Sequence, residues 1–253
     1  MSGDTARTAF FVGYLCMPGR LALFLWLLLP LLLGGVGGAA LALAIGNADP
    51  GDGGRLPGRI TLTGVVQLDP YPMLRLPPDA DHDRPWAVLM VTAGKNGAQG
   101  RLAGLDGETV AITGSLYERG GQLLFEIRAS QDAIVEVDRT AGYRPGAARP
   151  LGNQRLVGEI VDPKCHLGSM RPGEGKPHMM CGNRCLLGGI PPTLAVHSPD
   201  GTLTMVLLVG ADGAPALDAF LDWTSLPVAL SGAMFALDDM LVMHVAADGI
   251  EGL

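Results

Sequence analysis

Residues 112–127, ITGSLYERGGQLLFEI, align without a gap on residues 230–245, LSGAMFALDDMLVMHV, and this pairing decides how the chain is organised. In each stretch an alternating strand runs into a tight turn, Arg119-Gly120-Gly121 in the first and Leu237-Asp238-Asp239 in the second, and a second alternating strand returns. Both are hairpins that close a repeated unit. Leu124 and Val242 take corresponding apolar positions and read as core residues.

The likeness continues upstream, where TGVVQLDP at 63–70 resembles VGEIVDP at 157–163 with one residue deleted. Between the matched ends the second repeat offers strands at 193–197 and 203–209, then the apolar helical stretch APALDAFLDW at 214–223. The first offers strands at 73–76 and 86–91, then a short glycine-interrupted stretch at 98–105. Three strands, a short helix and two strands is the order of a small Greek-key barrel of the OB type. The expected fold is mainly β: two tandem OB-like five-stranded barrels at 59–138 and 155–253. A linker at 139–154, which includes RTAGYRPGAARP and lacks apolar periodicity, joins them.

Ahead of the barrels lies the longest uncharged run, LALFLWLLLPLLLGGVGGAALALAIGN at 21–47. At about 1.5 Å per residue it can cross a hydrocarbon layer of about 30 Å, and its Pro30 and glycines are residue types that membrane helices tolerate. Residues 1–20 precede it and carry Arg7 and Arg20, so the positive-inside rule places the N-terminus in the cytoplasm. The alternative is a cleaved signal peptide, with Gly46 and Ala48 as the small residues before the cut, but the apolar run exceeds the usual 7 to 15 residues of a signal core. Residues 48–58, containing DPGDGGRLP, form a flexible linker. Fifteen Arg against three Lys, with abundant Ala, Gly, Leu and Pro, suggest a high-GC bacterial genome, hence a single-pass inner-membrane protein whose barrels face the periplasm. A net charge of −7 and the lack of a dense basic stripe argue against nucleic acid as a partner.

The repeats differ at one place. Repeat one passes from Asp69-Pro70 to its next strand within a few residues, whereas repeat two inserts KCHLGSMRPGEGKPHMMCGNRCLLGGIPP at 164–192, an insertion its sister barrel folds without. Pro177 followed by HMMCGNRCLL suggests a short helix, ended by Gly188-Gly189 and stopped by Pro191-Pro192. His178, Cys181 and Cys185 then stand at i, i+3 and i+7 on one helix face. Cys165, at the end of a strand, is brought back by the turns of Gly168, Pro172, Gly173 and Gly175 as a fourth donor. Three thiols and an imidazole make a Cys3His set suited to zinc or to copper(I). The possible additional ligands are His166, adjoining Cys165, and Met170.

Two other readings of the same residues stay open. In an oxidising compartment Cys165 could be joined to Cys181 or Cys185 by a disulfide. A redox-active thiol is the other, with Lys164, Arg171, Lys176 and Arg184 near enough in sequence to depress a cysteine pKa. No C-x-x-C is present, which disfavours a thioredoxin-like exchanger and excludes ordinary c-type haem attachment. Cys16 lies before the membrane helix and cannot join the site. His82, His197 and His244 are isolated in sequence and read as surface or packed residues.

The insert, GEIVDPKCHLGSMRPGEGKPHMMCGNRCLLGGIPP, resembles a motif of uncharacterised bacterial membrane-anchored or exported proteins. Its pattern is G-E-[IV]-x-D-x-x-C, then H-x-x-C-[AG]-x-x-C and a Gly-Pro turn. The resemblance covers 158–192 and puts its Cys, His, Cys, Cys positions on Cys165, His178, Cys181 and Cys185. It implies a site and no particular reaction. The function expected is a membrane-tethered periplasmic metal-binding accessory or scaffold protein beside a redox or respiratory complex, partnered by the inner membrane and by a membrane or periplasmic protein. A thiol- or metal-dependent enzyme and a structural subunit with a disulfide-linked insert are the rival readings.

Overall fold

The computed structural model describes residues 17–46, 53–136 and 143–253. Cys16, Asn47, and the linker residues 48–52 and 139–142 lie outside the described residues. Two compact units are present, one up to Pro50 and one from Gly51 onward.

The first unit contains a single helix, α1 (Gly19–Gly46), with Pro30 inside it. Its 28 residues extend about 42 Å, more than a bilayer core of about 30 Å needs. It is long and apolar enough to span a membrane. Leu23, Trp26, Leu33 and Leu41 are all exposed, so the helix lacks the single buried stripe of a soluble amphipathic helix.

The second unit contains two five-stranded barrels. The first is built from β1 (Ile60–Gln67), β2 (Met73–Leu76), β3 (Trp86–Thr92), β4 (Thr109–Arg119) and β5 (Gln122–Ile127). The pairs β1–β2, β2–β3, β4–β5 and β1–β4 are antiparallel; β3 and β5 run parallel, with Leu89 opposite Leu124, and the ring closes. The second barrel is β6 (Arg149–Val161), β7 (Thr193–His197), β8 (Leu203–Gly210), β9 (Pro227–Leu237) and β10 (Met240–Gly252), closed in the same order, with β8 parallel to β10. This is the connectivity of an OB barrel, present twice.

The two repeat-closing turns have the backbone their sequences require. Arg119 pairs with Gln122 and Leu237 with Met240, leaving two-residue loops. Gly120 and Gly121 take φ of 57° and 79°, and Asp238 takes 56°. Positive φ at such a loop matches the twist of the flanking strands.

Three segments differ from the sequence reading. Gly54 and Arg55, inside the stretch 48–58 expected to be a flexible linker, pair antiparallel with Glu118 and Tyr117 of β4. Strand β6 starts at Arg149, inside the stretch 139–154 expected to be a linker, because its outer half pairs with β9 as far as Arg149 opposite Ala236. Residues 98–105 form turns where the second barrel has a short helix at Leu217–Phe220. Ala98 and Leu102 are nevertheless fully buried and fill the same role in the first core.

Burial falls into three clusters. One lies inside each barrel, around Leu74, Met90, Ile112 and Phe125 in the first and Ile160, Val206, Phe220 and Met243 in the second. The third joins the barrels and unites Met73, Val91 and Leu124 with Leu207, Val209 and Val242. This explains why Met73 and Leu74, adjacent on β2 and pointing to opposite faces, are both fully buried. Leu124 and Val242 are thus core residues of the junction, not of a barrel interior. The insert contributes Cys165, Leu167, Cys185 and Ile190 to that same cluster. The insert is part of the core, although its absence from the sister barrel suggested that the core does not need it.

Polar contacts reinforce the junction. Arg75, 3% exposed, donates from Nε and Nη2 to both carboxylate oxygens of Asp238 at 2.6 and 2.9 Å. The Ala87 amide donates to Asp239 at 2.8 Å. The buried Lys164 ammonium pairs with Glu126 and donates to the carbonyls of Thr92 and Gly94 at 2.7 Å each.

Candidate metal centre

At the end of β6 the chain makes a kinked helical turn, Cys165–Ser169, with Gly168 at φ of 110°. Asp162, completely buried, fixes its start: Oδ1 accepts the Cys165 amide at 2.8 Å. A 3-10 turn at Lys176–His178, with Pro177 in it, leads into α2 (Met179–Leu187), the helix expected from Pro177 and the Gly188-Gly189 stop. Gly189 has φ of 90°, a conformation that favours glycine.

This geometry gathers the three thiols. Cys165 from the turn and Cys181 and Cys185 from α2 place their sulfurs within 4.8 Å of one another, and all three are free. The Cys165 and Cys185 sulfurs are 3.9 Å apart. Two sulfurs bound to one zinc at about 2.3 Å, tetrahedrally arranged, sit about 3.8 Å apart, whereas a disulfide requires about 2.05 Å. The spacing fits two ligands of one ion and is too long for a disulfide.

His178 stands differently from the sequence reading. It belongs to a second trio with Asp162 and Cys165, not to the three-thiol group. Its Nε2 is 2.8 Å from Asp162 Oδ2, and both side chains are buried. The possible ligand Met170 is at the site, with Sδ 3.2 Å from the Cys181 sulfur. His166 is not: its ring faces Glu174 and His197. The expectation that His166 could serve this centre is corrected, because the turn carrying Cys165 and His166 sends the two side chains apart.

The residue that sequence reading missed is Lys95, which follows β3 in the other barrel. Its Nζ is 2.6 Å from the Cys181 sulfur and 3.8 Å from that of Cys185. The docking is tight: Gly97 donates its amide to the Gly188 carbonyl at 2.9 Å, and a Cβ on Gly188 would come 1.8 Å from the Lys95 carbonyl oxygen. None of Lys164, Arg171, Lys176 and Arg184 takes this place; the Lys164 ammonium is spent on Glu126 and two carbonyls. Asp162 was also missed, though it holds the D of the resembled motif and the Asp-Pro step shared by both repeats.

The electrostatics follow the contacts. The hydrogen bond between the two sulfurs holds Cys165 well above the ordinary thiol range, with burial adding to the effect, and lowers Cys185. Lys95 is raised, first by its bond to Cys181 and then by the charges of the other thiols. Burial, with the nearby Arg119 charge adding to it, pushes His166 down to about 4. Three converging thiols with a lysine ammonium against one of them form a group that could hold a metal ion.

No family model matches the chain, and no curated protein matches it. Solved structures that are similar include a deletion mutant of the single-stranded DNA binding protein from Thermus aquaticus, 15% identical over 79% of this chain and 95% of that one, with a TM-score of 0.22. The wild-type form of that protein is 12% identical over 80% and 94%, with a TM-score of 0.21. The exclusion of nucleic acid as a partner, drawn from net charge, is not kept, since both similar structures are of a single-stranded DNA binding protein. At these TM-scores the likeness carries no argument about what this chain itself binds.

Proposed function

We propose that this chain is a membrane-tethered metal-binding protein of the bacterial periplasm, in which Cys165, Cys181 and Cys185 hold a Zn2+ or Cu+ ion. It serves as an accessory or scaffold protein to a redox or respiratory complex. The observation that carries the metal reading is the convergence of three free thiols from two separate elements, with a 3.9 Å sulfur spacing and a lysine ammonium set against them. Three thiolates give a zinc centre a net charge of −1 and a copper(I) centre −2, and Lys95 offsets one unit of either. The α1 helix, able to span a membrane, supports the tether; Arg7 and Arg20 support an N-terminus in the cytoplasm.

The fourth donor depends on the ion. A zinc ion draws its fourth donor from His178, which shares a group with Cys165 and whose Nε2 contact with Asp162 is the carboxylate–histidine pairing that orients metal-bound imidazoles. A copper(I) ion takes the Met170 thioether, 3.2 Å from Cys181. The test is the metal content of the full chain purified in detergent, wild type beside Cys181→Ser. One equivalent of thiol-held metal is expected in the wild type and a loss of most of it in the variant; equal metal in both overturns the reading. A second reading, a dithiol that cycles through a Cys165–Cys185 disulfide, is favoured by the hydrogen bond joining those sulfurs. It requires a metal-free protein whose denatured mass falls by two protons on oxidation.

A further inference from the structure

We propose that His166, Glu174 and His197 form a second site, separate from the thiols, for a divalent first-row transition-metal ion. One donor atom from each lies within 4.8 Å of the others, and the set shares no residue with the three-thiol group. The three come from different places: the turn after β6, the loop before α2, and the end of β7. The two imidazole rings face each other edge-on at a centroid distance of 6.1 Å.

The observation that points to a ligand is His166. Its side chain is 1% exposed, and neither ring nitrogen makes a well-formed hydrogen bond among the described residues, a looser approach to the Gly173 backbone being all that faces it besides Glu174. Nδ1 is 3.4 Å from Glu174 Oε2, close enough for attraction but not aligned as a hydrogen bond. A buried polar group left unmatched costs about 1–3 kcal/mol, and a fold keeps such a group where something else completes it. An ion bound to one of these nitrogens does so. Glu174 is 38% exposed and His197 is exposed, so the site is open on one side. Three protein donors and an open side leave a position for water or a substrate atom, the arrangement of a reactive centre and not of a closed structural one.

The surroundings narrow the ion. Arg119 donates to the His166 carbonyl at 3.0 Å, and its Nη1 is 3.6 Å from Glu174 Oε2. This nearby positive charge works against a cation held only by charge and oxygen, such as Mg2+ or Ca2+. Two imidazoles and one carboxylate suit Zn2+, Cu2+, Ni2+ or Fe2+, which form strong bonds to nitrogen.

The test uses Co2+ as a probe on the full chain in detergent. Cobalt bound by thiolates shows an intense near-ultraviolet thiolate-to-metal band; cobalt bound by two imidazoles and a carboxylate shows only weak visible bands. The wild type is expected to take up two equivalents, one of each kind. His197→Ala, a change at an exposed residue, is expected to weaken the non-thiolate equivalent by more than about 100-fold, beyond the effect of losing an outer-shell partner, and to leave the thiolate band intact. Glu174→Gln acts in the same direction. Cys181→Ser is expected to lose the band and retain the other equivalent, so the two sites succeed or fail separately. A wild type with no non-thiolate equivalent, or a His197→Ala protein that retains it, overturns the proposal.

Discussion

Replacing Gly188 by Ala tests the idea that the thiol pocket is assembled across two barrels. The added Cβ would meet the Lys95 carbonyl oxygen at 1.8 Å, a distance real Cβ atoms do not show, and the Lys95 loop must retreat until the contact reaches at least 3.0 Å, a shift of about 1.2 Å. The retreat breaks the 2.9 Å hydrogen bond from Gly97 to the Gly188 carbonyl. It also draws the Lys95 ammonium away from its 2.6 Å contact with Cys181. Overpacking costs about 1–3 kcal/mol and the lost hydrogen bond about 1 kcal/mol, so a destabilisation of about 2–4 kcal/mol is expected. For a folded unit of this size that lowers Tm by about 4–16 °C. The assays are urea and thermal unfolding of the full chain in detergent, together with the dissociation rate of bound metal. Gly100→Ala, where nothing lies within 4 Å of the new Cβ, is the control and should stay within about 0.5 kcal/mol of wild type. A Gly188→Ala protein with unchanged stability and unchanged metal release would refute the reasoning.

Other consequences are equally direct. Asp238→Ala strands the buried Arg75 guanidinium, keeping only its bonds to Gln67 at 3.0 Å and the Gly146 carbonyl at 2.9 Å, and should cost about 3–5 kcal/mol in urea unfolding. Adding Arg75→Met should recover part of that loss, and a strictly additive double variant would show that the pair does not couple. Burial raises the Tyr71 hydroxyl to about 12. The unfolded chain then releases this proton near pH 10 while the folded one keeps it, so stability present below pH 10 is lost as pH rises toward 12. Ultraviolet titration should show a late-ionising phenol that disappears in Tyr71→Phe; an unchanged curve in that variant counts against the assignment.

Several elements were legible because they are written locally. Strand alternation and the paired turns at Gly120-Gly121 and Asp238-Asp239 marked the hairpins, and the strands at Met73–Leu76 and Thr193–His197 run as read. Pro177 and Gly188-Gly189 bounded α2, and the long uncharged run announced α1. The convergence of Cys165 with Cys181 and Cys185 was also predictable, since two of them share a helix face and glycines return the third.

What escaped the sequence was every partner chosen across distance. Lys95 reaches Cys181 over 86 residues and Arg75 reaches Asp238 over 163, and no local pattern marks either pair. His178 joined Asp162, and His166 joined His197, because adjacent residues on a single turn point in different directions and only packing decides what each one meets. Local periodicity and turn chemistry, which depend on neighbours a few residues apart, determined the two barrels and the membrane-length helix. The contents of the junction between the barrels, including the cation beside the thiols, were decided by burial of surfaces that come together only after both repeats have folded.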